Sequence, residues 1–155
     1  MSKGIEIICI GNEILNGTTI EKNSSWLATR IRRIGGNVSR ISIIRDEFKE
    51  IEFTIKEALN RRPKWILTSG GLGPTYDDIT IESIGKALKR KFIYDPIALA
   101  ILKRNYFNRG IRKLNKYQLK MSLVPENSQI IDNVVGTAPS VLIRHRETKI
   151  ICLPG

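Results

Sequence analysis

The sequence predicts an α/β fold, a three-layer α/β/α sandwich around a mainly parallel central sheet. Three observations point there. Strand-like and helix-like stretches alternate along the chain. The first strand candidate, residues 4–10, reads Gly-Ile-Glu-Ile-Ile-Cys-Ile, nearly continuous apolar character that suits a strand covered on both faces. Residues 65–80 read as a buried strand, a glycine loop and a helix start in immediate succession.

In order, Gly11-Asn12-Glu13 is a turn that puts a polar cluster at the end of the first strand. Glu13 is there either a ligand-contacting carboxylate or an ordinary loop acid. A helix opens near Asn23 with an apolar face of Leu27, Ile31 and Ile34, and Gly35-Gly36 ends it. Residues 37–44 alternate, with Val38, Ile41 and Ile43 apolar, as a strand does. Asp46 then reads as the cap of a second helix carrying Phe48, Ile51, Ile55, Ala58 and Leu59 at spacings of three and four.

The stretch 65–80 follows. Trp65 to Ser69 is the strand. Gly70, Gly71, Gly73 and Pro74 then force a tight turn and bring bare backbone to the surface. Asp77 and Asp78 stand where a helix from Asp78 to about Lys89 would begin. Farther on, Phe92 to Tyr94 is extended, and Asp95-Pro96 caps a helix with Ala98, Ile101, Leu102 and Tyr106 on one face. A shorter helix runs from about Asn115 to Leu123. Residues 129–131 suit a short strand, residues 134–139 a loop of small residues, and residues 141–144 and 149–153 a strand pair.

Strand, glycine loop and helix N-terminus form a geometry that cradles phosphate. Bare carboxylates there would repel an anion, so a divalent cation such as Mg²⁺ between Asp77, Asp78 and a phosphate resolves the conflict. The competing reading is that the two Asp only cap the helix. No Gly-Lys-Ser/Thr follows the glycines, and Tyr76 stands where a dinucleotide fingerprint needs its third glycine.

At 155 residues and 41% hydrophobic content, the chain is one domain with enough apolar material for a core. No run is long enough to span a membrane, and Met1-Ser2-Lys3-Gly4 shows no signal-peptide pattern. Cys9 and Cys152 lie in apolar runs and read as buried free thiols of a cytoplasmic protein. His145, the lone histidine, sits between two arginines, so histidine-centred nucleophilic catalysis is not expected. The net charge of +11 is concentrated: between Lys86 and Lys120 only Asp95 is acidic. This segment is a solvated surface, a device steering an anionic ligand, or a nucleic-acid face. No RNA- or DNA-binding motif is visible, so nucleic acid is the least expected partner.

Several of these pieces coincide with one family. They are Gly11-Asn12-Glu13-Ile14-Leu15-Asn16-Gly17, Asn23-Ser24, the run from Gly70 to Thr80, Lys120-Met121 with Val124-Pro125-Glu126, Val135 to Pro139, and Leu153-Pro154-Gly155. On them the chain resembles the N-terminal domain of the competence/damage-inducible CinA family, within the molybdopterin-binding MoaB/Mog-like superfamily. The resemblance spans essentially the whole chain, and the glycine-to-Asp-Asp run is its specific part. It implies a three-layer domain that forms homo-oligomers and takes a pterin or nucleotide phosphate at the glycine loop. CinA-type domains are associated with metal-dependent hydrolysis of ADP-ribose at its diphosphate; molybdopterin-handling relatives adenylylate the pterin phosphate or insert molybdate.

Carried over by position, Asp77 and Asp78 are the metal and catalytic carboxylates. Gly70, Gly71, Gly73 and Thr75 hold phosphate, and Glu13, Asn23, Thr137, Pro154 and Gly155 line the rest. Ser140 departs from the family, which often has glycine after the proline. The chain is expected to be a single domain over 1–155, cut short at Gly155, where the family continues through a Val-Pro-containing loop.

Overall fold

The computed structural model describes residues 4–155, so the N-terminal reading at Met1, Ser2 and Lys3 lies outside the described residues. Strands β1 (Ile5–Ile10), β2 (Val38–Ile44), β3 (Trp65–Ser69), β6 (Gln129–Ile131), β7 (Ser140–His145) and β8 (Thr148–Leu153) make one sheet, in the order β2-β1-β3-β8-β7-β6. The pairs β1–β2, β1–β3 and β3–β8 are parallel; β8–β7 and β7–β6 are antiparallel. A mixed six-stranded sheet flanked by helices is therefore the core of the α/β fold.

β1 lies inside the sheet, between β2 and β3, and successive side chains point to opposite faces. Ile7 and Cys9 join Ile31 of helix α2 (Asn23–Arg33) in a small apolar cluster. Ile8 and Ile10 join the larger cluster with Ile51 and Ile55 of α3 (Phe48–Asn60) and Ile84 of α4 (Thr80–Ala87). Both faces of the strand are thus covered, which is why its sequence is apolar throughout. Its one charge, Glu6, is 4% exposed and takes a bidentate pair from Arg61 at the end of α3, with both N···O distances 2.8 Å. A buried carboxylate needs such a fork to offset its lost hydration.

Several expected faces shift. Ile34 is 84% exposed because α2 ends before it, and the polar-apolar alternation of β2 leaves Ile41 and Ile43 exposed, with only Ile44 buried. β2 is the sheet's edge. Asp95 does cap α5 (Pro96–Phe107), accepting from the amides of Ile97 and Ala98. The short α6 (Lys116–Lys120) ends sooner than expected, because Leu123 enters β5 (Leu123–Pro125), which pairs antiparallel with β4 (Phe92–Tyr94). Burial pushes the thiols of Cys9 and Cys152 up to about 12, so both are inert core residues. Among the described residues no helix is long and apolar enough to cross a membrane.

Candidate functional site

The parallel strands β1, β2, β3 and β8 all end at one edge of the sheet, at Ile10, Ile44, Ser69 and Leu153. Ligands of open α/β sheets bind beyond such ends. A cavity of about 560 Å³ opens there. The glycine loop forms one wall, and Gly70 is tied to β8 through its amide, which donates to the Leu153 carbonyl at 3.1 Å. Residues 133–138 and Pro154-Gly155 form other walls.

Four carboxylates line the cavity: Glu13, Asp46, Asp77 and Asp78. Glu13 sits in α1 (Asn12–Leu15), a single helical turn where the sequence reads as a plain turn. Asp46 was expected to cap α3, but α3 starts later, with Glu47 at its N-cap and no side-chain cap. Asp46 Oδ2 instead accepts from the Asn12 amide at 2.9 Å, which ties the ends of β1 and β2 together. Sequence reasoning therefore missed Asp46 as a site residue. The available signal was its place just beyond a strand parallel to β1, at the edge that carries Glu13.

Asp77 and Asp78 do not cap α4. The helix begins at Thr80, whose amide donates to the Gly71 carbonyl and whose hydroxyl donates to the Gly70 carbonyl at 3.0 Å. The loop thus takes up the first amide of the helix, and the two carboxylates that the sequence placed at this terminus stand in the loop before it. Asp78 Oδ2 folds back to accept from the Thr75 amide at 2.9 Å and the Thr75 hydroxyl at 2.5 Å. Lys120 seals this turn by donating to the carbonyl of Asp78 at 2.8 Å. Asp77 is exposed and makes no such bond.

Of the expected site residues, Gly70, Gly71, Gly73, Glu13, Thr137, Pro154 and Gly155 line the cavity with the two Asp. Thr75 does not; its donors are turned to Asp78. Neither does Asn23, whose side-chain amide donates to Ser69 Oγ at 2.9 Å and so fastens α2 to the end of β3. Among the described residues the amides of Gly71, Leu72 and Gly73 donate to no protein acceptor, leaving donors at the cavity wall.

The loop at 133–137 is held from two sides. Asn133 Oδ1 accepts from the amides of Val135 and Gly136. Asn105, on α5, donates to the carbonyls of Asn133 and Gly136 at 3.2 and 3.1 Å. Asn105 is a second positioning residue that no sequence signal marked, since it lies within a run of basic helix residues. The basic segment also divides. Arg109 lines the main cavity, whereas Arg112 and Lys113 line a separate groove beside Phe107 and Leu119.

The carboxylates act on one another. Burial raises the pKa of Asp46, and the charges of Glu13, Asp77 and Asp78 raise it further, against the lowering effect of the Asn12 amide. An Asp whose folded pKa lies above its unfolded one binds its proton more tightly when folded, so stability falls as pH rises through the folded value. Asp46→Asn keeps an oxygen for the Asn12 amide. It is expected to raise Tm at neutral pH and to leave it unchanged well below about pH 3.9, the ordinary Asp value. Thermal melts at the two pH values check this; a lower Tm at neutral pH contradicts it.

The domain family described as "Probable molybdopterin binding domain" matches residues 6–155. The chain belongs to this family. The crystal structure of CinA, a protein of unknown function from Thermoplasma acidophilum, superposes with a TM-score of 0.91 at 35% identity, covering 99% of this chain and 89% of that one. A protein of Metallosphaera sedula is 45% identical over 150 residues, 97% of this chain. The tungsten cofactor synthesizing protein MoaB from Pyrococcus furiosus shares the fold, with a TM-score of 0.61 at 22% identity over 99% of this chain and 82% of that one. The chain is thus a CinA-like domain of the molybdopterin-binding family, and it has the fold of MoaB. It spans 56% of the length of the Metallosphaera relative and 61% of one from Pyrococcus horikoshii.

Proposed function

We propose that this domain binds a phosphorylated nucleotide or pterin in the cavity at the strand ends and hydrolyses the phosphoanhydride of a nucleotide diphosphate such as ADP-ribose. The observation that carries this reading is the meeting of two opposite chemistries in one cavity. Unpartnered amides at Gly71, Leu72 and Gly73 offer hydrogen bonds to phosphate oxygens. Four carboxylates in the same cavity demand positive charge.

The donor set fits a hard divalent cation such as Mg²⁺, being made of carboxylate oxygen with no thiolate or imidazole. Among the described residues no three acidic, His or Cys side chains converge as a ready metal set, so phosphate oxygens have to complete the coordination. Asp77 and the oxygen of Asp78 not bonded to Thr75 would hold the ion. Such an ion supplies Lewis acidity toward a phosphoryl oxygen. The protein's own part is to orient the anhydride on the loop amides and to accept a proton. Asp46 Oδ1, which Asn12 leaves unbonded, takes the proton of the attacking water as the water oxygen joins phosphorus and the anhydride bond breaks.

A second reading is a pterin- or nucleotide-binding module of molybdenum cofactor synthesis, supported by the family match over residues 6–155. Incubation of the domain with ADP-ribose, with Mg²⁺ and with a chelator, separates the two. Mg²⁺-dependent release of AMP and ribose phosphate is expected. Tight binding without release leaves the binding-module reading standing and removes the hydrolase. A cytoplasmic setting belongs to the same proposal, supported by the two unpaired buried thiols. So does self-association, supported by Trp26 on α2 and Ile34 at its end, large apolar side chains that stay exposed.

A further inference from the structure

We infer that Arg109 is the anion anchor that makes this cavity select a diphosphate over a monophosphate. The inference rests on the cavity reading above and adds to it a specificity-determining residue and a narrower substrate class. Arg109 is the one basic residue among the described residues lining the cavity, against four carboxylates. An arginine kept there to neutralise them would pair with one of them. Its guanidinium makes no ion pair and no hydrogen bond among the described residues. Arg104, on the last turn of α5 just before it, does pair, with Asp132 at 2.6 Å.

Among the described residues no Arg109 nitrogen thus comes within 4.0 Å of a carboxylate oxygen, although all of them line one cavity of about 560 Å³. The charges of Glu13, Asp77 and Asp78 all act on Asp46, so the four carboxylates lie near one another in the cavity. A ligand filling this space meets two different binding sites. One end meets the acidic wall, where a phosphate enters with a cation. The other meets an unpartnered guanidinium, whose planar fork matches two phosphate oxygens. One phosphate uses only the first site, whereas two linked phosphates use both.

The position of Arg109 is built into the fold. It follows the end of α5, where its amide donates to the Tyr106 carbonyl and Gly110 turns the chain at φ +81°. Asn105, one helical turn earlier, braces residues 133–137 against the same helix end. The basic segment thus contributes one residue to the site, while Arg112 and Lys113 face another groove.

The test is equilibrium binding by calorimetry with Mg²⁺ present. The probes are AMP and the methylene-bridged analogue of ADP, which resists hydrolysis at the bridge. Arg109→Gln is expected to weaken the diphosphate analogue by about 10- to 100-fold, the worth of a charge-assisted hydrogen-bonded contact, and AMP by less than about threefold. Arg109→Lys keeps the charge without the fork and falls between. The double variant Arg112→Gln, Lys113→Gln binds both probes as the parent does. Equal weakening of both probes by Arg109→Gln, or no weakening of either, overturns the inference while leaving the cavity reading intact. A parent protein that binds neither probe overturns both.

Discussion

Asp77→Asn is expected to lower the turnover of ADP-ribose by about two orders of magnitude while leaving the melting temperature where it is. The two halves of this result have separate causes. Asp77 is exposed, makes no hydrogen bond among the described residues and caps no helix, so the fold feels its charge only through a minor repulsion of Asp46. The cavity does, because a neutral amide gives up most of its hold on a divalent ion and with it the stabilisation of charge on the transferring phosphoryl group. Asp78→Asn should lose activity comparably, but with a measurable stability cost. Its Oδ2 closes the loop by accepting from both the amide and the hydroxyl of Thr75. Exchanging a charged acceptor for a neutral one there costs about 1 kcal/mol. Steady-state assays and thermal melts on the two variants separate these roles. An Asp77→Asn protein with parental turnover removes the metal-assisted mechanism.

The contrast between these neighbours shows where sequence reading stops. Period and punctuation located most of the sheet: the continuous apolar run of β1, the strand before Gly70, the pair β7 and β8. Those signals are local, and burial enforces them. The exposed edge was less legible, because Ile41 and Ile43 alternate as a half-buried strand does while β2 ends up with that face open. A helix start looks the same in sequence whether its acidic residues cap it or turn elsewhere. Asp46 was read as a cap, capping was the competing reading for Asp77 and Asp78, and in the structure none of the three caps its helix. The choice is made by other partners: for Asp46 the Asn12 amide, 34 residues away, and for Asp78 the neighbouring Thr75, within a turn that helix periodicity does not describe. Asp46 was invisible as a site residue for the same reason. Only the parallel register of β1 and β2 brings it beside the glycine loop.

Gly70→Ala is expected to be the most destabilising single methyl group in the site. The sequence suggested that the loop glycines leave room for a phosphate. At Gly70 the structure gives a different reason. Its φ is +107°, a region L side chains rarely adopt, and an added Cβ would lie 2.2 Å from the backbone carbonyl oxygen of Ile10. That oxygen ends β1, where Ile10 pairs with Ile44 of β2, and as backbone it yields only if the end of the strand shifts. Strain at such a φ costs about 1–3 kcal/mol, and the backbone overlap brings the expected total to roughly 3–5 kcal/mol. In a domain of this size that is a fall in Tm of about 10 °C or more. Gly73→Ala is the internal control. No positive φ burdens it, and the nearest obstacle to its Cβ is the Asp78 carboxylate, 2.5 Å away at the end of a side chain that can shift. It should lower Tm far less than Gly70→Ala, by about the 1 kcal/mol of the Asp78–Thr75 contact it displaces, and should weaken ligand binding. Thermal melts and binding titrations on both variants decide the matter. If Gly70→Ala melts with the parent protein, the close approach of the loop to β1 does not govern stability. If Gly73→Ala loses stability but binds normally, its glycine serves the turn and not the site.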